Sequence, residues 1–143
     1  DQSEPLAIWQ PDLPAPDLGR VAYQCQQRWR LTAVTAMCAL ATAAAGHALG
    51  GRGGRFPRQT ELTHDLHLAH VYLLMRAALP TRASSWRFED TRPRGARDAF
   101  VPDALVTDGG HTTVIECAGA YDEPKLRAFH AACVEADLAY ELW

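Results

Sequence analysis

One tight turn constrains the fold more than any other feature of the sequence. Asp108-Gly109-Gly110 separates two runs of apolar and β-branched residues, which cover 99–107 and 111–117. Adjacent glycines suit a short hairpin loop because such loops need positive φ angles, which glycine adopts without strain. The pattern therefore predicts an antiparallel hairpin that reverses at Gly109-Gly110.

The composition is that of a folded domain with ordinary hydrophobic content. The 143 residues are 48% apolar and 22% charged, with a net charge of −3 and a pI near 6.0. Residues 31–49 approach the length of a membrane span, but they are rich in Ala and Thr and carry His47. The four cysteines form no CxxC pair, so we expect reduced thiols, a cytoplasmic location and no membrane contact. The negative net charge requires any contact with DNA to be local.

The C-terminal part of the chain predicts a helix, three strands, a helix and a strand. Apolar residues at spacings of three and four predict an amphipathic helix over 63–79, which Pro80 ends. These residues are Leu62, Leu66, Ala69, Leu73 and Ala77. Residues 85–89 have strand composition and precede the hairpin. Pro124 suits the first turn of a helix that continues to about residue 137, and residues 138–143 predict the last strand.

The N-terminal part predicts less regular structure. Four prolines in the first twenty residues predict an extended lead-in, and 21–25 predict a short strand. Thr32 suits the N-cap of an Ala-rich helix that runs to residue 48, before Gly50. The glycine-rich stretch that follows predicts a boundary between a segment over 1–54 and a main domain over 55–143.

Two carboxylates are placed opposite each other by the predicted hairpin. Six positions separate Asp103 from Gly109, and six separate Gly110 from Glu116. Directly opposed side chains share one face and lie roughly 4.5–5.5 Å apart at Cβ. Glu116 also lies in an apolar strand, where a solvated acid is less expected than in a polar one. Because two such like charges repel, the pattern predicts a compensating cation, and a divalent ion with oxygen ligands is the usual one. Two solvated carboxylates on an exposed face are the alternative.

These motifs resemble the PD-(D/E)xK nuclease superfamily. The resemblance rests on Pro102-Asp103-Ala104, the Gly-Gly turn and Val114-Ile115-Glu116. With Thr63-His64-Asp65-Leu66 and Lys125-Leu126, the chain resembles more specifically the replication-relaxation family of plasmid and mobile-element proteins. The resemblance implies a mixed α/β (α+β) fold with a restriction-endonuclease-like αβββαβ core. It also implies a partial winged-helix-like appendage before that core, with Arg30-Leu31-Thr32 at the end of the truncated module.

The resemblance implies a role for each matching residue. Asp103, Glu116 and the backbone carbonyl of Cys117 would hold Mg²⁺ or Mn²⁺, and Asp65 resembles an extra acid that some members supply. The superfamily places a lysine two positions after the glutamate, where this chain has Ala118. Either the site is catalytically degenerate, or the catalytic lysine is Lys125 on the following helix, which is the one lysine of a chain with 14 basic residues. A solvated surface lysine is the alternative for Lys125. Three arginines on the loop before the hairpin would contact DNA phosphates. They are Arg92, Arg94 and Arg97.

Other polar residues permit weaker expectations. His64, His67 and His70 form an HxxHxxH run, which permits a transition-metal site or a polar helix face. Tyr121 and His130 are candidate contacts for phosphate or water. The thiol of Cys117 should face the core, because its neighbour Glu116 faces the other way.

The residues leave three functions open. The first is a metal-dependent DNA endonuclease of plasmid or mobile-element replication, relaxation or transfer. The second is a catalytically degenerate nuclease fold that binds DNA or assembles with a relaxase or replication protein. The third is an unrelated α/β interaction domain. A truncated winged helix would leave apolar surface exposed over 33–48, so a homo-oligomer is also expected.

Overall fold

The computed structural model describes residues 3–28, 37–48, 53–88 and 101–143. Within them the fold is mixed α and β, with one open five-stranded sheet of mixed direction and helices on both faces. In chain order the elements are β1 (Ala7–Trp9), α1 (Leu18–Arg28), α2 (Ala43–Ala48), α3 (Gln59–Ala78), α4 (Pro80–Ala83), β2 (Arg87–Phe88), β3 (Ala104–Asp108), β4 (His111–Glu116), α5 (Glu123–Glu135) and β5 (Ala139–Leu142). The predicted order of helix, three strands, helix and strand is confirmed, with the one-turn helix α4 added. Among these residues, no helix is both long and apolar enough to cross a membrane.

The predicted hairpin is confirmed as β3 and β4. Asp108 pairs with His111, and the two residues between them have φ angles of 55° for Gly109 and 84° for Gly110. Two positive φ angles are the requirement of a tight two-residue turn. The register runs back to Ala104 opposite Ile115, so the next pair outward is Asp103 and Glu116.

The sheet has the strand order β1-β5-β4-β3-β2. β4 and β5 are parallel, and α5 makes the crossover between them. At the start of α5, Asp122 caps the helix by accepting a hydrogen bond from the backbone N–H of Lys125 at 2.9 Å. Pro124 lies in the first turn, as predicted. The cap fixes where Tyr121 and Lys125 lie relative to the end of β4.

Each face of the sheet has its own core. On one face, Val114 and Tyr140 pack with residues of α1 and α5 such as Leu126. On the other face, Ile115 and Cys117 pack with residues of α3 and α4. Successive residues of a strand point to opposite faces, so β4 contributes to both cores. The end of β4 therefore lies between two helical layers.

The N-terminal predictions need correction. Residues 21–25 are not a strand but the middle of α1, where Leu18, Val21 and Cys25 repeat at helical spacing and are buried. Asp17 begins this helix by accepting a hydrogen bond from the backbone N–H of Arg20 at 3.0 Å. Residues 7–9 of the predicted extended lead-in are strand β1, which forms a short antiparallel ladder with β5 that the sequence did not predict.

The predicted helix over 32–48 is only partly present. Residues 37–42 have no regular structure, and α2 begins after Thr42, whose side-chain oxygen accepts from the N–H of Ala45 at 3.2 Å. The first part of the predicted helix, with Arg30-Leu31-Thr32, lies outside the described residues. The boundary at residue 54 stays a prediction. The described part of 1–54, however, adds β1 to the sheet and places α1 in the core with α5.

α3 begins four residues before the predicted start and turns a different face to the core. At its start, the Glu61 side chain accepts from the backbone N–H of Arg58 at 3.0 Å. The buried residues are Val71 and Met75, whereas the stripe that predicted the helix faces outward. Leu66 and Leu73, for example, are 42% and 60% exposed.

A substitution at the hairpin turn tests the register that brings the two acids together. We expect Gly110→Val to lower the free energy of unfolding by about 1–2 kcal/mol, because the branched side chain must adopt a positive φ angle. Gly110→Asn is the matched control and should cost less, because Asn tolerates this conformation. Urea unfolding of the three proteins measures both effects. Equal losses for Val and Asn would contradict the turn geometry.

Candidate active site

Asp103 and Glu116 meet at the end of the sheet where β3 begins and β4 ends. The backbone N–H of Asp103 donates to Oε2 of Glu116 at 3.4 Å. Glu116 is 7% exposed, and the Asp103 side chain is 13% exposed. The prediction that the hairpin brings these two acids together is confirmed. Two carboxylates with little access to water therefore share one site.

Asp103 is held from two elements. Its Oδ2 accepts a hydrogen bond from the backbone N–H of Cys117 at 2.8 Å, where the β3–β4 ladder has ended. The same oxygen lies 3.0 Å from Nε2 of His64 on α3. The side chain thus connects the end of β4 to the helical layer on the Cys117 face of the sheet, and its position is fixed by both.

Glu116 pays an electrostatic penalty for its position. Burial raises the pKa of Glu116 to about 7, and the negative charge of Asp103 acts in the same direction. The Tyr121 hydroxyl donates to Oε1 of Glu116 at 2.7 Å and opposes this shift. Burial, followed by the charge of Glu116, raises the pKa of Tyr121, so this hydroxyl keeps its proton. The site therefore favours a nearby positive charge or a proton on Glu116.

His64 supplies a positive charge that the sequence did not assign to this site. Its hydrogen bond with Asp103 raises the pKa of His64 to about 9, although partial burial acts the other way. Its second ring nitrogen, Nδ1, lies 3.5 Å from a carboxylate oxygen of Asp65. His64 stands in the Thr63-His64-Asp65-Leu66 motif and in the HxxHxxH run, but neither predicts its contact with Asp103, because helical spacing does not reveal a partner 39 positions away.

Lys125 is connected to Glu116 through the aromatic ring of Tyr121. Its Nζ is 3.5 Å from the centre of the Tyr121 ring, and the hydroxyl of that ring bonds to Glu116. Such a cation–π contact stabilises a charged lysine by about 0.5–1 kcal/mol at exposed sites. Ala118, at the position of the superfamily lysine, is 1% exposed and packed in the core with α1 and α5 residues. A long charged side chain has no room there without rearrangement of that core.

The remaining predicted residues are less central. Asp65 is 61% exposed and contacts His64, so it reaches the carboxylate pair only through that histidine. His67 is half-buried and His70 is exposed, and neither joins His64 in a metal-binding group within the described residues. His130 lies away from the site, where its Nδ1 is 3.1 Å from the Tyr140 hydroxyl. The predicted phosphate contacts, Arg92, Arg94 and Arg97, lie outside the described residues.

Cys117 contributes its backbone N–H to the site, whereas its thiol lies in the core. Its side chain is 1% exposed in the core on the α3 side, as predicted. Burial raises the pKa of this thiol, and the charge of Asp103 acts in the same direction. A protonated thiol is a poor nucleophile and a poor metal ligand. The predicted role of its carbonyl in holding a metal stays a prediction.

The carboxylate pair fits a hard divalent cation that keeps much of its water. In the described parts of the chain, no three side chains of His, Cys, Asp or Glu form a group that could hold a metal ion. Mg²⁺ does not need such a cage, because proteins usually bind it through one or two carboxylates, with water and phosphate oxygens completing the shell. Burial, and after it the charge of Asp103, raises the pKa of Glu116, so a positive charge beside the pair would favour its ionised form.

Comparison with known proteins identifies no family for the chain. No protein-family model, no curated protein and no solved structure matches the chain. The resemblance to the replication-relaxation family and to PD-(D/E)xK nucleases therefore stays a prediction. The function has to be argued from the site itself.

The raised pKa values predict that stability falls as the pH rises. The contribution of Glu116 is fully present below its ordinary pKa of 4.5 and is lost as the pH rises through about 7. That of His64 is present below 6.5 and is lost as the pH rises through about 9. We expect Glu116→Gln to flatten the dependence between pH 5 and 7. Denaturant unfolding at a series of pH values measures the slope.

Glu135→Gln serves as the control for this experiment, because Glu135 is an exposed acid on α5. It should leave the slope of the wild type unchanged. If Glu116→Gln and the wild type have the same slope between pH 5 and 7, Glu116 is not held in an environment that opposes its charge.

Proposed function

We propose that the chain is a metal-dependent DNA endonuclease, with Asp103 and Glu116 as the residues that hold a divalent cation. The observation that carries this proposal is the pair of nearly buried carboxylates at one end of the sheet, where the backbone N–H of Asp103 donates to Oε2 of Glu116 at 3.4 Å. A nearby positive charge would stabilise the ionised form of both carboxylates. In phosphodiester hydrolysis, a divalent cation also stabilises the negative charge on the phosphate. A role in plasmid or mobile-element replication, relaxation or transfer follows only from the resemblance.

The chain's own residues orient the components of this site. The N–H of Cys117 and the His64 ring fix Asp103, and the Tyr121 hydroxyl fixes Glu116. Lys125 holds an ammonium group over the Tyr121 ring, where it can orient a water molecule or contact a phosphate oxygen. When bound, Mg²⁺ or Mn²⁺ supplies Lewis acidity at the phosphate and lowers the pKa of a water molecule.

A second candidate function is supported by the position of Ala118. This residue is packed in the core where the superfamily has its lysine, and Lys125 is exposed on the following helix. If Lys125 cannot replace that lysine, the fold would bind DNA or a replication protein and not cut it. DNA binding without cleavage is the result that favours this candidate.

Cleavage of plasmid DNA tests the first proposal. We expect the wild type to cleave with Mn²⁺ or Mg²⁺, and we expect Asp103→Asn and Glu116→Gln to lower the rate by at least about tenfold each, which is 1.4 kcal/mol in the barrier. Glu135→Gln is the matched control and should retain the wild-type rate. Cleavage by both site variants at the wild-type rate would contradict the proposal, as would no cleavage by the wild type with either metal.

Two substitutions separate the charge of Lys125 from its ammonium geometry. Lys125→Met removes the charge and should lower the cleavage rate while leaving Mn²⁺ binding intact. Lys125→Arg keeps the charge and the stacking on Tyr121, but its planar group does not place charge as an ammonium does. We expect Arg to restore only part of the rate. A Met variant with full activity would exclude Lys125 from the reaction.

A further inference from the structure

α3 carries an apolar stripe on the side that faces away from the sheet. Leu66 and Leu73 are 42% and 60% exposed, and Ala69 between them is exposed too. Residues seven positions apart differ by only about 20° around a helix, so the two leucines lie almost in line. Leu62 and Ala77 extend the stripe by one turn at each end. The stripe thus runs along most of the helix.

A different face of α3 packs against the core. Val71 is fully buried and Met75 is 5% exposed, and both pack with the strands. Val71 lies about 160° around the helix from Leu73, so the stripe and the core are on opposite sides. Nothing in the packing of the described sheet explains two leucines exposed in line. Spacings of four and three residues are those of a helix that packs against another helix.

Charges beside the stripe indicate which helix it would meet. Asp65 lies toward the N-terminal end and Arg76 toward the C-terminal end, and both are exposed. Eleven residues make about three turns, so the two charges lie on the same flank of the stripe. A second copy of α3 in antiparallel orientation brings Asp65 of one copy near Arg76 of the other, and two-fold symmetry makes this contact twice. A parallel pair would set like charges at the same level.

We propose that the protein forms a two-fold dimer through antiparallel packing of α3 against α3. Leu66 and Leu73 form the apolar seam, and the small side chain of Ala69 at its centre permits close approach of the helices. His64 is on the other side of α3, where it contacts Asp103, so both candidate active sites stay accessible in the dimer. The proposal is independent of whether the protein cuts DNA.

The molecular mass of the 143-residue chain in solution tests the dimer. We expect sedimentation equilibrium at micromolar concentration to give twice the 15.7 kDa of one chain. Leu66→Glu combined with Leu73→Glu should give the mass of one chain. Val134→Glu is the control, because Val134 is an apolar residue 50% exposed on α5, and it should leave the dimer intact. A wild-type monomer, or a dimer that the double variant retains, would overturn the proposal.

A cross-link tests the orientation without relying on a disruptive variant. In a background with Cys38→Ser, Ala69→Cys should form a disulfide-linked dimer under mild oxidation, whereas Ala128→Cys, on an exposed position of α5, should not. Arg76→Glu should weaken the dimer, and Asp65→Arg added to it should restore the affinity. Equal cross-linking at both cysteines, or no restoration by the charge exchange, would overturn the antiparallel arrangement.

Discussion

The site depends on two carboxylates, Asp103 and Glu116, that the fold places side by side with little access to water. The register of one hairpin places Asp103 opposite Glu116, and the two helical layers shield both from water. Burial, and after it the charge of Asp103, makes ionisation of Glu116 costly and raises its pKa. His64, Tyr121 and the Cys117 N–H each reduce that cost by bonding to one carboxylate. A cation between the acids would reduce it further, which is why the pair is interpreted as a binding site.

The histidine gives the site a charge of its own before any cation arrives. Its Nε2 contacts Asp103 and its Nδ1 lies 3.5 Å from Asp65, so α3 is connected electrostatically to the end of the hairpin. A divalent ion at the carboxylates would compete with that proton, since both bind the same oxygens. The inner face of α3 therefore completes the site, and its outer face is the surface proposed to bind a second copy.

Local signals in the sequence were enough for the hairpin and its acids. Gly109 and Gly110 fix the turn, and counting outward from them places Asp103 and Glu116 in register. Pro124 and the strand that follows α5 were predicted for equally local reasons. The αβββαβ order of elements was predictable in this way, whereas the resemblance to nucleases stays a prediction.

Contacts between distant segments could not be read from the chain. β1 has only three residues and lies in a proline-rich segment. Its pairing with β5 joins segments far apart in the chain, and no local pattern in the sequence indicates it. Residues 21–25 alone have strand composition. The helix α1 is indicated only by the Asp17 cap together with the helical repeat of Leu18, Val21 and Cys25. In α3 both faces are apolar, so periodicity predicted a helix but not which face is buried. His64 was missed as a site residue because its partner lies on another element.

Calorimetric titration with Mn²⁺ tests the central claim most directly. At neutral pH we predict one Mn²⁺ bound per chain, with protons released on binding, because the ion takes carboxylate oxygens that otherwise hold a proton on Glu116 or accept a hydrogen bond from His64. Comparison of the heats in two buffers measures the protons. Glu116→Gln should lose roughly tenfold or more in affinity together with part of the proton release. Equal affinity and equal proton release in the wild type and in Glu116→Gln would contradict the assignment of the site.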